Sequence, residues 1–212
     1  MGNVLLFPGG FKPFHDGHLG ILESHINNLD NIPIDEVRIY ISQKGRDFIP
    51  DAMQTLLFLT EIRHNLEKVY NVKIRVAISN YVSPIRQCYI DAGDIEDNNL
   101  YALVSSNKDN DIARKKDFGA AFAKGGKYYN PEVGEKTMYL NTELNPIRYT
   151  FRDDSLNDKI ISSTIIRSDI KKDDYYNFKC GYMNMLTKGI VTKQQLDEYY
   201  FALRYYLLEE NK

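Results

Sequence analysis

Tryptophan is absent from the 212 residues, and cysteine occurs only as Cys88 and Cys180. With no Cys-x-x-Cys pair, neither a disulfide framework nor a zinc ribbon is encoded, and a reducing, cytosolic setting is expected. No apolar run reaches the roughly 18 residues that a membrane-spanning helix needs. The N-terminus opens directly into a short apolar segment, without the charged and apolar regions of an export signal. An excess of one charge is missing too: 27 basic residues face 29 acidic ones, a formal net charge of −2. No broad electropositive field therefore points to nucleic acid or an anionic membrane as a partner, and any anion site must be local. Neither Gly-x-x-x-x-Gly-Lys-Ser/Thr nor Gly-x-Gly-x-x-Gly is present, so two common phosphate-binding glycine loops are excluded.

The remaining composition, 43% hydrophobic and 26% charged, is that of a globular chain long enough to bury a substantial core. Strand and helix patterns alternate through the first half. Val4 to Phe7, then Val37, Ile39 and Ile41, then Val72, Ile74, Val76 and Ile78, and finally Leu100 to Ser105 read as strands. Between them, Leu19 to Ile26 and Ala52 to Val69 carry helical stripes, the second through Leu56, Leu59, Ile62, Leu66 and Val69; Pro84 to Asp91 fits a short helix. This order predicts an α/β, Rossmann-like open parallel sheet with helices on both faces. A charged helix is expected from Asp109 to Lys127, and a fifth strand around Met138 to Leu140 within an irregular stretch, Tyr128 to Asp158. Helical segments at Ser162 to Lys171, Tyr175 to Leu186 and Lys193 to Glu210 complete a single domain of 212 residues, with about 1–170 as core and 171–212 as a C-terminal helical extension. The last segment is striped by Leu196, Tyr199, Tyr200, Leu203 and Leu207.

One stretch stands out. Gly9-Gly10-Phe11-Lys12-Pro13-Phe14-His15-Asp16-Gly17-His18 lies between the first strand and the first helix. Such a loop leaves backbone N–H groups and the positive end of a helix dipole facing a ligand, which favours phosphate. His15 and His18 stand there as a pair of donors, with Gly17 between them offering no side chain to obstruct a flat-lying ligand. Far downstream, Ile161-Ser162-Ser163-Thr164-Ile165-Ile166-Arg167 places hydroxyls at a helix start and an arginine one turn later. Hydroxyls there serve as caps in most proteins, and the same unsatisfied N–H groups bind anions.

Together the two segments resemble the His-x-Gly-His and Ile-Ser-Ser-Thr-x-x-Arg motifs of the nucleotidyltransferase superfamily, the cytidylyltransferase-like enzymes. The resemblance covers about residues 1–170 and implies transfer of a nucleoside monophosphate to a phosphorylated small-molecule acceptor with release of pyrophosphate. It implies His15, His18 and Arg167 as catalytic residues, with Gly9, Gly10, Phe11, Gly17, Ile161, Ser162, Ser163 and Thr164 completing the nucleotide site. The second motif is similar to that of adenylyltransferases, so ATP is favoured over CTP, and the opening motif is similar to that of nicotinamide-mononucleotide adenylyltransferases. Mg²⁺ is expected as a cofactor held mainly by the triphosphate, with no metal site built from protein ligands alone, and a homo-oligomer is an expectation of the same origin.

Acceptor-binding candidates lie on the loops that follow the strands, where open α/β sheets bind ligands. They are Lys44 and Arg46 after the second strand, Ser83 and Arg86 after the third, and Lys108 and Asp109 after the fourth. Lys12, inside the first motif, either contacts a phosphate or is solvated. A zinc site through His15, Asp16 and His18 would need further ligands, which His25 and His64 give no reason to supply. The rival functional class is a nucleotide-binding regulatory or assembly protein that keeps the fold without turnover. An arginine used at position 167 only to meet an anion would leave the thermal melt nearly unchanged when removed.

Overall fold

The computed structural model describes residues 2–28, 33–49, 52–94, 99–104, 137–141 and 161–210. Five strands, β1 (Asn3–Gly9), β2 (Glu36–Ile41), β3 (Lys73–Ile78), β4 (Asn99–Val104) and β5 (Thr137–Asn141), form one sheet in the order β3-β2-β1-β4-β5. Every pairing is parallel. Helices α1 (Asp16–Asn28), α2 (Met53–Tyr70) and α3 (Pro84–Asp94) intervene, and α4 (Ser163–Lys171), α5 (Tyr175–Cys180), α6 (Met183–Thr187) and α7 (Lys193–Glu210) follow. The fold is α/β and Rossmann-like, with C-terminal helices. The expected helix at 109–127 and most of the stretch 128–158 lie outside the described residues; β5 occupies the place expected for the fifth strand.

The alternation of side chains along each strand explains the layers. Leu5 and Phe7 of β1 and Val37, Ile39 and Ile41 of β2 join one buried cluster with Leu19 and Leu22 of α1 and Phe58, Leu59 and Ile62 of α2. The opposite face of β2 presents Arg38, which pairs with Glu36 at 2.6 Å, and Tyr40, whose hydroxyl donates to Asp91 of α3. Helices thus cover both faces, as right-handed crossovers require when the chain steps from β1 outward to β3 and then returns to β4. The switch in direction falls between β1 and β4, and the crevice of such a fold opens at the C-terminal ends of these strands.

The C-terminal helices pack on the α1 and α2 side. Phe178, Tyr182, Met185, Leu196, Tyr199, Tyr200 and Leu203 belong to the same apolar cluster as the sheet. Phe58 and Tyr199 stack with centroids 4.0 Å apart and planes 5° apart. The stripe expected on α2 stops short at its end, where Val69 is 41% exposed, and is widened near its start, where Thr55 and Phe58 are buried. The segment Tyr175 to Leu186, expected as one helical stretch, is two short helices broken at Gly181. A Cβ on Gly181 would lie 2.3 Å from the Ile166 side chain, so the break lets the backbone press against α4. Among the described residues no helix is long and apolar enough to cross a membrane.

Candidate active site

The loop after β1 is held by its own rings. Phe11 takes a left-handed backbone conformation, φ 51°, which returns its ring over Gly9; a Cβ on Gly9 would sit 2.5 Å from that ring. The ring packs edge-on to Phe7 at 4.8 Å and to His18 at 5.0 Å, and Phe14 stacks on His18 at 5.4 Å. Thr55, buried at the start of α2, donates its hydroxyl to the Phe11 carbonyl at 2.7 Å. The imidazole of His18 therefore sits between two phenyl rings, 4.0 Å from the centroid of His15.

Hydrogen bonds select the tautomers of both rings. His15 Nδ1 accepts from the Gly17 N–H at 3.0 Å, so the neutral ring carries its proton on Nε2. That nitrogen lies 3.2 Å from Ser163 Oγ, and the serine hydroxyl donates to the Pro13 carbonyl at 3.1 Å. His18 Nδ1 accepts from the His15 backbone N–H at 3.3 Å, which likewise leaves its Nε2 as the donor. Gly17 is required sterically: a Cβ there would stand 2.8 Å from His15 Cε1 and 2.9 Å from its Nδ1, whereas one on Gly10 meets nothing within 4 Å. Gly17→Ala is expected to cost about 1–3 kcal/mol by overpacking and to turn His15 away from Ser163. Gly10→Ala is expected to stay within about 0.5 kcal/mol of the parent, and thermal melts of the two variants check the contrast.

The second segment meets the first. Ile161 is buried beside Gly17, its carbonyl 3.3 Å from that added Cβ. Ser162 caps α4, its side chain accepting from the Ile165 N–H at 3.3 Å, so the first turn of this helix abuts the histidine loop through Ser163. Thr164 is exposed, while Arg167 is 9% exposed and fully engaged. Its Nη1 donates to the Lys12 carbonyl at 2.7 Å, its Nε to Asp47 Oδ2 at 2.6 Å and its Nη2 to Thr164 Oγ1 at 3.3 Å. Two segments distant in sequence, at Lys12 and Asp47, thus meet the start of α4 at one guanidinium.

The lysine inside the motif is neither solvated nor at the surface. Lys12 is 1% exposed, and its ammonium donates to the Gln43 carbonyl at 3.3 Å and to that of Lys44. It fastens the loop after β1 to the loop after β2. Lys44 and Arg46 are exposed on that second loop. Ser83 and Arg86 are exposed after β3, where Arg86 rests on the Tyr81 ring at 4.6 Å; no hydrogen bond among the described residues joins them to the histidine loop. Lys108 and Asp109 lie outside the described residues.

Two acidic residues matter that the pattern did not single out for the site. Asp16 is 2% exposed, and its carboxyl accepts from the N–H groups of Asn184, at 2.6 Å, and Met185, at 3.1 Å. It thereby caps α6, whose own N-cap residue, Tyr182, makes no side-chain cap bond. Burial pushes its carboxyl up to about 7 against the pull of those two N–H groups and of Lys188. An aspartate opening α1 reads as an ordinary first-turn acid, and nothing local announces a partner 168 residues away. Asp47 has φ 49° and a half-exposed side chain, and the hydrogen bond from Arg167 holds its carboxyl below the usual range.

No protein-family model matches this chain, and no curated protein does. Among solved structures, "Plasmodium falciparum nicotinic acid mononucleotide adenylyltransferase complexed with APC" matches over 97% of this chain and 98% of that one, with a TM-score of 0.57 and 16% identity. The likeness is one of fold. It extends through the C-terminal helices, since nearly the whole of both chains is aligned.

Chemically, the site offers imidazole N–H groups, hydroxyls and a helix N-terminus, all suited to an anion. Among the described residues no three His, Cys, Asp or Glu side chains gather as metal ligands. Asp16 is turned toward α6 and Asp47 toward Arg167, so the donor set suits phosphate oxygens better than a bare hard cation.

Proposed function

We propose that the chain is a nucleotidyltransferase that moves AMP from ATP to a phosphorylated small-molecule acceptor and releases pyrophosphate. The contact between His15 Nε2 and Ser163 Oγ carries this reading, because it joins the imidazole pair to the hydroxyl-bearing helix tip across 148 residues. The adenylyltransferase fold of the Plasmodium neighbour supports it, as does that protein's complex with APC. A mononucleotide of the nicotinamide or nicotinic acid type is the first acceptor class to try.

In this reaction an oxygen of the acceptor phosphate attacks the α-phosphorus, the bond to the β-phosphate oxygen breaks, and pyrophosphate leaves with the electron pair. Such a transfer asks the protein for placement and charge stabilisation rather than for a covalent nucleophile. His18 Nε2–H and the first-turn N–H groups of α4 are the donors for charge growing on the α-phosphate, with the hydroxyls of Ser162 and Thr164 and the backbone N–H of Ser163 on the distal phosphates. His15, held by Gly17 and Ser163, orients the pair. Mg²⁺ carried by the triphosphate would supply charge neutralisation for the departing pyrophosphate, and no protein carboxylate is asked to hold it.

The test incubates the protein with Mg²⁺, ATP or CTP, and a panel of phosphorylated acceptors while pyrophosphate is followed. Release with one acceptor is expected, reduced about a hundredfold in His18→Ala, the loss typical of one oxyanion donor. Release with CTP alone reassigns the base, and nucleotide binding without release over the panel replaces the enzyme by a binding protein.

A further inference from the structure

The Arg167 fork is shared unequally. Its side chain is 11% exposed and is fixed by the Lys12 carbonyl and Thr164, whereas the Asp47 side chain that meets its Nε is 46% exposed. Asp47 sits in a tight turn closed by reciprocal backbone bonds between Arg46 and Ile49, 2.8 and 2.9 Å, and the charges of Lys171 and Arg46 join that of Arg167 around its carboxylate. Three cations thus face one half-exposed anion. We infer that Asp47 is an affinity-setting residue, a stand-in anion on Arg167 that a bound triphosphate displaces.

This inference rests on the nucleotide reading above and adds to it which side chain the incoming phosphates must replace. An exposed ion pair is worth about 0–1 kcal/mol, so little opposes exchange. A triphosphate brings several negative charges and planar oxygen pairs that suit a guanidinium. A carboxylate left near the bound phosphates repels them, and a carboxylate moved aside forfeits its bond with Arg167; either way its charge weakens binding.

Asp47→Asn isolates the charge, because an amide oxygen still accepts from Nε and asparagine tolerates a left-handed backbone. Calorimetric titration with ATP and with inorganic tripolyphosphate, at fixed ionic strength, is expected to show Kd lowered about three- to fivefold, with Mg²⁺ and with EDTA alike. Asp47→Gly, which relieves the backbone as well, is expected to move Kd in the same direction. An unchanged or raised Kd in both variants overturns the inference while leaving the nucleotide reading intact. A Kd raised only with Mg²⁺ also overturns it, making Asp47 a metal ligand. No binding by parent or variants overturns the nucleotide reading, and the inference with it.

Discussion

Arg167→Ala is expected to destabilise the protein by about 3 kcal/mol as well as to weaken triphosphate binding. The expectation of an unchanged melt, drawn from an arginine that serves only an anion, does not survive its surroundings. The Lys12 carbonyl that Arg167 satisfies is buried, and leaving such an acceptor without its partner costs about 1–3 kcal/mol. The bond to exposed Asp47 adds up to about 1 kcal/mol, and the loss of a buried side-chain stem adds packing energy. For a domain of this size, about 3 kcal/mol lowers Tm by roughly 6–12 °C. Arg167→Lys is not expected to rescue it, since one ammonium cannot address a carbonyl, a carboxylate and a hydroxyl from a rigid fork. Thermal melts with and without ATP separate the two roles: a structural loss appears in both, and a binding loss abolishes the stabilisation that ATP gives the parent. A melt within about 2 °C of the parent, the size of effect a neutral surface change has, would return Arg167 to a purely anion-contacting role.

Local patterning made the sheet and its helices legible because burial is periodic. Val37, Ile39 and Ile41 alternate with Arg38 and Tyr40, and the structure places these sets on opposite faces of β2. Leu196, Tyr199, Tyr200 and Leu203 repeat at helical spacing and all are buried in α7. The break at Gly181 was not legible, because the reason for it, contact with Ile166, belongs to another helix. Lys12 shows the same limit: a lysine in a glycine-bearing loop reads as a phosphate contact or a solvated side chain, and the carbonyls of Gln43 and Lys44 on the next loop are what make its burial tolerable. The two site segments could be located from the sequence, but the contacts that hold them in place, the Lys12 carbonyl on Arg167, Asp47 on Arg167 and Asp16 on the start of α6, span 155, 120 and 168 residues. Periodicity states which face a residue occupies and is silent on its partner.

Asp16 gives the second large effect, and its sign is unusual for a carboxylate. Its folded value, about 7, lies above the ordinary 3.8, so the native state holds a proton that the unfolded chain releases. The stability linked to that proton is fully present below about pH 4 and is lost as pH rises through about 7. At about 1.4 kcal/mol per tenfold change in proton affinity, the full displacement is worth about 4 kcal/mol. Asp47 has the opposite sign, since its folded value is depressed; its contribution is present above the ordinary carboxylate range and fades in acid, so the two windows are separable. The measurement is a set of melts from pH 4 to pH 8 on the parent and on Asp16→Asn, which keeps the volume but cannot titrate. The parent is expected to lose stability relative to the variant across that range, with the C-terminal helices loosening first, because the carboxyl joins the histidine turn to the start of α6. Parallel curves for the two proteins would mean that the N–H groups of Asn184 and Met185 hold Asp16 ionised throughout, and that α6 is fastened to the histidine turn by a permanent charge.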